Sequence, residues 1–184
     1  AATGDPSLAG VYAKVEAGER LSRIDGELLF QTADIWSVCN MADLARRRLH
    51  GNTAYYNVNR HLNYSNICAL SCSFCAFHRK KGDDGAYERD VDDIRREACL
   101  ARDSGATEMH IVGGLHPWLP FSYYTDMLSA IREEAPGLHL KAFTAVEIVH
   151  LAKISKRGRD GIDGIRAVLR DLRDAGLGSL PGGG

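Results

Sequence analysis

The stretch Asp90-Val91-Asp92-Asp93-Ile94-Arg95-Arg96-Glu97-Ala98-Cys99-Leu100-Ala101-Arg102-Asp103-Ser104-Gly105-Ala106-Thr107-Glu108-Met109-His110-Ile111-Val112 decides the fold class. Asp90 can cap a helix whose first turn holds Asp92 and Asp93 and whose apolar face repeats through Ile94, Ala98 and Ala101. Gly105 stops that helix, and a short strand is predicted over Thr107 to Val112. The same order repeats downstream. Tyr124, Leu128, Ile131 and Ala135 share one helical face, Pro136 and Gly137 end it, and Leu138 to Phe143 reads as a second strand. A helix from about Ala145 to Ser155 follows, then a polar loop over Lys156 to Gly164. A helix carrying Ile165, Leu169, Leu172 and Ala175 stops at Gly176, and Leu177 to Leu180 reads as the start of another strand.

Upstream the pattern is different. Leu8, Tyr12 and Val15, then Ile35, Val38, Cys39 and Ala42, recur at helical steps, with Arg46, Arg47 and Arg48 closing the second run before Gly51 as cations at a helix C-terminus. Ala54 to Asn59 is short and rich in Tyr and Val, as a first strand would be. Strands separated by helices imply right-handed crossovers and a parallel sheet. The expectation is therefore an α/β chain: a leading helical segment over residues 1–52, then about four βα units over residues 53–184. An eight-unit barrel typically needs about 250 residues, so the second segment reads as the N-terminal part of a TIM-type barrel with one sheet edge open. Both chain ends, Ala1 and the Pro181-Gly182-Gly183-Gly184 run, read as cut.

The bulk properties exclude several function classes. Of the 184 residues, 45% are hydrophobic and 26% charged, the composition of a globular protein. The net charge of -1 offers no attraction to a polyanion, so nucleic acid is not expected as a partner. No apolar run approaches the roughly 20 residues of a membrane helix and no secretory leader stands out, which makes a cytoplasmic setting and no membrane partner the expectation. Of five cysteines, three fall between residues 68 and 75, which suits metal binding in a reducing compartment better than disulfides. Cys39 and Cys99, on helical patterns, are expected to be core thiols.

Asn66-Ile67-Cys68-Ala69-Leu70-Ser71-Cys72-Ser73-Phe74-Cys75-Ala76-Phe77 spaces those thiols to wrap one inorganic cluster. Three thiolates bind three irons of a four-iron cube and leave the fourth iron open to a chelating substrate. Two other readings remain open: buried structural cysteines, or a closed Cys₃His zinc site completed by His78. Val112-Gly113-Gly114-Leu115-His116-Pro117 lies at the C-terminal end of a predicted strand, where barrel enzymes place ligands. Gly113 and Gly114 either let the backbone approach a ligand or simply turn the chain. Phe74 packs in a core or stands beside an adenine.

Cys68, Cys72 and Cys75, spaced CxxxCxxC, resemble the hallmark of the radical S-adenosylmethionine (SAM) superfamily. Cys75-Ala76-Phe77 with Arg79, then Asp84-Gly85-Ala86-Tyr87, is similar to the group holding the futalosine-pathway enzymes of menaquinone biosynthesis and the deazaflavin synthases. Gly113 to Pro117, Leu119-Pro120-Phe121, Tyr123-Tyr124, Lys141 to Ile148 and Gly176 to Gly184 most resemble the aminofutalosine synthase family, although Tyr64-Ser65 stands where Pro-Thr would be expected.

The resemblance implies a [4Fe-4S] cluster, S-adenosyl-L-methionine as co-substrate, and a low-potential electron donor such as flavodoxin or ferredoxin. It also implies a transferase reaction in which the 5′-deoxyadenosyl radical adds to the small-molecule substrate 3-[(1-carboxyvinyl)oxy]benzoate and carboxylate is lost to give aminofutalosine. The alternatives are a cyclic dehypoxanthinyl futalosine synthase, a deazaflavin (F420/FO) synthase subunit or, in another class, a zinc-stabilised binding module. Candidate cofactor contacts are Phe74, Arg79, Gly113, Gly114 and Thr144, with N-capping the other role open to Thr144. Candidate catalytic residues are His116, which can instead cap a turn, and Glu147, which can instead be a favourably placed first-turn carboxylate. His78, Lys80 and Lys81 read as a solvated face.

Overall fold

The structure, a computed structural model, describes residues 4–182. It divides into two compact units, Ala1–Tyr56 and Asn57–Gly184.

The first unit is helical: α1 (Ala9–Ala17), α2 (Arg23–Gln31) and α3 (Ile35–His50), with a 3₁₀ turn at Pro6–Leu8. Leu8, Val11 and Met41 are its buried centre, and Tyr12, Val15, Leu28, Leu29 and Val38 pack against them. The buried stripe of α3 thus runs through Ser37, Val38 and Met41, while Ile35, Cys39 and Ala42 are exposed. Cys39 is not a core thiol. Asp34 accepts a hydrogen bond from the Ser37 amide and so caps α3, whose inward face is set by packing against Leu8 and Val11. Of the arginine run, Arg47 pairs with Asp43, and Arg46 reaches the Gly51 and Thr53 carbonyls. Arg48 crosses to the last turn of α1, donating to the Val15 and Glu16 carbonyls, so the helix end it satisfies is not its own.

The second unit carries β1 (Asn59–Leu62), α4 (Val91–Asp103), β2 (Glu108–Ile111), α5 (Phe121–Glu134), β3 (His139–Ala142), α6 (Ala145–Ile154) and α7 (Gly161–Ala175). The strands form a parallel sheet in sequence order, with Asn59 opposite Glu108 and Glu108 opposite His139. Beyond β3 the pairing is a single parallel bridge from Lys141 to Ser179, the start of a fourth strand. β1 begins at Asn59 rather than Ala54. Thr107 donates to the Val58 carbonyl, but the residues just before it belong to the turn that ends α4 at Gly105, so residues 54–57 face no strand on that side. The polar loop after α6 is shorter than expected, with a 3₁₀ turn at Gly158–Asp160 leading into α7.

One core unites the sheet with its helices. Leu62, Met109, Ile111, Leu140 and Ala142 from the strands pack with Ile94 and Ala98 of α4, Leu128 and Ile131 of α5, Leu151 of α6, and Val168 and Leu172 of α7. Cys99 lies half-buried at its margin, with Sγ 3.5 Å from Glu134 Oε2. The helices therefore cover one face of the sheet, as they do outside a βα barrel. No helix among the described residues is long and apolar enough to cross a membrane.

Two outcomes follow for stability. Ile94 is fully buried, so Ile94→Ala is expected to cost about 2–5 kcal/mol in denaturant unfolding of the second unit. In the first unit, Lys14 donates to both oxygens of Asp25 and Ser22 adds two more bonds, holding the Asp25 carboxyl down from 3.8 to about 2. A depressed carboxyl stabilises the fold above its unfolded value and loses that contribution as pH falls through the folded value. Asp25→Asn should therefore weaken helical circular dichroism stability at neutral pH, with the deficit vanishing as the pH reaches about 2.

Candidate active site

The C-terminal ends of the three strands point into the loops that carry the expected site residues. After β1 the chain passes through Tyr64 and Ser65 into the cysteine loop, and after β2 through Gly113 and Gly114. These two segments are sewn together by backbone bonds. Gly114 donates to the Ser65 carbonyl at 2.8 Å, Ala69 to the Leu115 carbonyl at 2.8 Å, and Leu115 to Cys68 Sγ at 3.4 Å. The Leu70 amide also points at Cys68 Sγ, 3.4 Å away. Amides directed at a cysteine sulfur are one of the means by which proteins tune iron–sulfur clusters.

The glycine pair is required by packing. A Cβ on Gly114 would sit 2.2 Å from the Ile67 carbonyl oxygen and 3.1 Å from Cys68 Cβ, and one on Gly113 would strike the Tyr64 ring at 2.5 Å. Their role visible in the structure is close approach to the cysteine loop and to Tyr64.

The loop's far side is held by its own cations. Arg79 donates to the Ala76, His78 and Asp84 carbonyls, and Lys80 Nζ donates to the carbonyls of Cys68 and Leu70. Lys80 is thus part of the loop's framework and not merely a solvated charge. His78 Nδ1 lies 2.8 Å from the Cys75 carbonyl. Asn66 closes the base of the loop, donating to the Gly85 carbonyl and accepting from the Tyr87 amide. Cys72 is exposed, Cys68 and Cys75 are half-exposed, and Phe74 projects outward at 88% exposure, so it is no part of a core.

Among the described residues no three His, Cys, Asp or Glu side chains gather as ligands of a single ion. A four-iron cube takes its three thiolates on three different irons, so its cysteines stand farther apart than the ligands of one ion. The donor set of one loop, three thiols with amides directed at Cys68 Sγ, fits such a cube.

Glu147 is 4% exposed and accepts from all sides. Oε2 receives the Thr144 amide at 2.8 Å and the Thr144 hydroxyl at 2.9 Å, while Oε1 receives the Tyr64 hydroxyl at 2.9 Å and the Gly113 amide at 3.1 Å. Thr144 caps α6 in return, accepting from the Glu147 amide. Burial pushes the Glu147 carboxyl above its usual range, against the pull of the Thr144, Tyr64 and Gly113 bonds. The Tyr64 hydroxyl is raised well above its ordinary value by burial first and by the Glu147 charge second.

His116 is also buried, at 2% exposure. Nδ1 accepts from the Trp118 and Leu119 amides, which places the ring proton of the neutral form on Nε2. Glu88 Oε2 stands 2.7 Å from Nε2 but outside the line of that N–H, a close charged approach without an aligned hydrogen bond. Burial lowers the His116 pKa while Glu88 raises it. Ile67, Lys81, Glu88, His116, Trp118 and Leu119 line a cleft of about 180 Å³ here.

Three contributors escaped the sequence reading. Tyr64 stood out only as a departure from the expected Pro, Asn66 only as a loop residue, and Glu88 not at all. Each acts through a partner distant in the chain, which no local spacing records.

A parallel sheet with helices on one face, carrying a three-thiol loop at its C-terminal edge, has the form of part of a βα barrel. The radical SAM superfamily matches residues 62–183, and the chain belongs to it. Members of that superfamily generally pair a four-iron cluster with S-adenosylmethionine. Aminodeoxyfutalosine synthase of Thermus thermophilus is 41% identical over 180 residues, covering 98% of this chain and 47% of that protein. The Streptomyces coelicolor enzyme of the same name is 43% identical over 171 residues, covering 93% of this chain and 43% of that one. FO synthase of Mycobacterium tuberculosis is 38% identical over 178 residues, covering 94% of this chain and 20% of that protein. The chain thus spans less than half the length of these relatives. In fold it is similar to the FeFe-hydrogenase maturase HydG of Carboxydothermus hydrogenoformans, with TM-score 0.59 and 19% identity over 95% of this chain and 47% of that one.

Two substitutions test this geometry. Glu147→Gln replaces one acceptor oxygen by a donor and should cost about 1–3 kcal/mol in urea unfolding at pH 7 through the bonds it breaks. A raised carboxyl makes the wild type lose stability as pH climbs from 4.5 towards the folded value, and the Gln variant should lack that part of the pH slope. Gly114→Ala should lower the iron bound after anaerobic reconstitution, whereas Gly137→Ala, where an added Cβ meets nothing within 4 Å, should leave it unchanged.

Proposed function

We propose that this chain provides the cluster- and nucleotide-binding part of a radical SAM transferase that joins an adenosyl group to 3-[(1-carboxyvinyl)oxy]benzoate. The observation that carries the reading is the stitching of the CxxxCxxC loop to the glycine pair, Ala69 to Leu115 and Leu115 to Cys68 Sγ. The 41% and 43% identities to aminodeoxyfutalosine synthases support the choice of substrate.

In this reading Cys68, Cys72 and Cys75 hold the [4Fe-4S] cluster, and a small low-potential donor such as flavodoxin or ferredoxin supplies the electron. The bound group supplies one-electron cleavage of the adenosyl C5′–S bond, which releases methionine and delivers the adenosyl carbon to the enol ether. The chain's own residues do the placing. Gly113 and Gly114 bring the backbone after β2 tight against the cysteine loop and Tyr64, and Phe74 offers an aromatic face. Thr144 holds the start of α6 in place, capping it and giving its own amide and hydroxyl to Glu147. Arg79 holds the loop's shape through its bonds to the Ala76, His78 and Asp84 carbonyls. Glu147 is a positioning group, because both its oxygens are engaged with Tyr64, Gly113 and Thr144, while His116 has Nδ1 engaged by the turn after Pro117 and Nε2 beside Glu88. Three free thiols in an open loop suit a reducing cytoplasmic setting.

The test is anaerobic reconstitution of the chain and of a version extended to the relatives' length, each supplied with dithionite, S-adenosylmethionine and the enol-ether substrate. A brown protein whose extended form makes an adenosyl adduct bears the reading out. Release of free 5′-deoxyadenosine without adduct points instead to a hydrogen-abstracting relative such as FO synthase, and stoichiometric zinc without a visible chromophore ends the radical reading.

A further inference from the structure

Side chains alternate across a strand, and the register sorts those of this sheet into two sets. Met109 and Leu140 align, as do Leu62, Ile111 and Ala142, and all of these lie in the core beneath the helices. The other parity gives two aligned rows, Asn59–Glu108–His139 and His61–His110–Lys141, polar throughout. Strands of a parallel sheet are ordinarily apolar on both faces, and barrel interiors are ordinarily filled by branched aliphatic residues. A face this polar needs another purpose.

The upper row lies one residue below the strand ends that lead into the cysteine loop, the glycine pair and Thr144. Its imidazoles, His61 and His110, stack with centroids 4.6 Å apart and planes at 29°. Among the described residues neither ring has a hydrogen-bond partner, so their N–H edges are free while their faces cover each other. Lys141 is fixed beside them by Glu108 Oε2 at 2.8 Å, and Asn59 occupies the other Glu108 oxygen at 2.7 Å. Glu108 is consumed by these bonds and its carboxyl is held below the usual range, chiefly by Lys141. The row offers hydrogen-bond donors and a pinned cation, and its one neighbouring carboxylate is already satisfied.

We propose that His61, His110 and Lys141 form a carboxylate-binding row on the helix-free face of the sheet, which holds an aromatic acid beneath the cysteine loop. The inference rests on the proposed reaction and adds to it the residues that recognise the substrate's acid group. Burial, then the neighbouring His61 and Lys141, lower the His110 pKa, and an anion in the row offsets that cost of charging it, so binding should take up a proton and strengthen at lower pH. His139 and Asn59, in the row below, face the same side.

The experiment is calorimetric titration of the full chain, with and without reconstituted cluster, using isophthalate and its uncharged counterpart isophthalamide. Isophthalate should bind about tenfold more tightly than isophthalamide, and about tenfold more tightly near pH 6 than near pH 8. His61→Asn, at an exposed position, should remove most of that preference with unchanged circular dichroism, and His110→Asn should do the same. Equal binding of the two probes, no isophthalate binding at millimolar concentration, or undiminished preference in both variants overturns the proposal. Because the readout needs no turnover, absent 5′-deoxyadenosine chemistry sinks the proposed reaction alone. Indifferent imidazoles in a protein that makes the adduct sink the carboxylate row alone.

Discussion

One buried carboxylate ties the ends of all three strands together. Glu147 begins the helix after β3, receives the amide of Gly113 just beyond β2, and receives the hydroxyl of Tyr64 just beyond β1. A charge removed from water is tolerated only when donors surround it, and here the donors come from three separate crossovers. The result is a fixed spacing between loops that no local turn chemistry would otherwise relate. Tyr64 extends this constraint inward through edge contacts with Tyr123, Tyr124 and Phe143, so the same ring joins the polar hub to the apolar core.

On that base the cysteine loop can be open without being unplaced. It has little apolar contact of its own: Cys72 and Phe74 are exposed, and its shape is kept by Arg79, Lys80 and Asn66 acting on its carbonyls and amides. Its attachment to the glycine pair is backbone to backbone, which is why the absence of Cβ atoms at Gly113 and Gly114 matters more than any side chain there. A loop with this construction can present thiols to a cluster while its anchor stays rigid.

The two faces of the sheet divide the labour. The helix side carries stability through a continuous aliphatic core, and the opposite side carries polarity through paired, partly shielded groups. The helical first unit depends on a separate core and on its own ionic hub at Asp25. The aliphatic core and the polar rows are therefore built from different residues of the same strands.

Period and punctuation were enough to read α4, β2, α5, β3 and α7 and the parallel order of the strands, because capping residues, glycine stops and apolar spacing act within a few bonds of the chain. The CxxxCxxC spacing of Cys68, Cys72 and Cys75 was legible for the same reason, since it lies within one loop. Where β1 begins, which face of α3 is buried, the engagement of Glu147 with Tyr64 and Gly113, and the approach of Glu88 to His116 were not, since each depends on a partner distant in the chain or on whether a neighbouring strand is present to accept a bond. Spacing can state which atoms are available, but a hydrogen bond between Tyr64 and Glu147 exists only once the crossovers have brought their strand ends together, a long-range closure absent from any single segment.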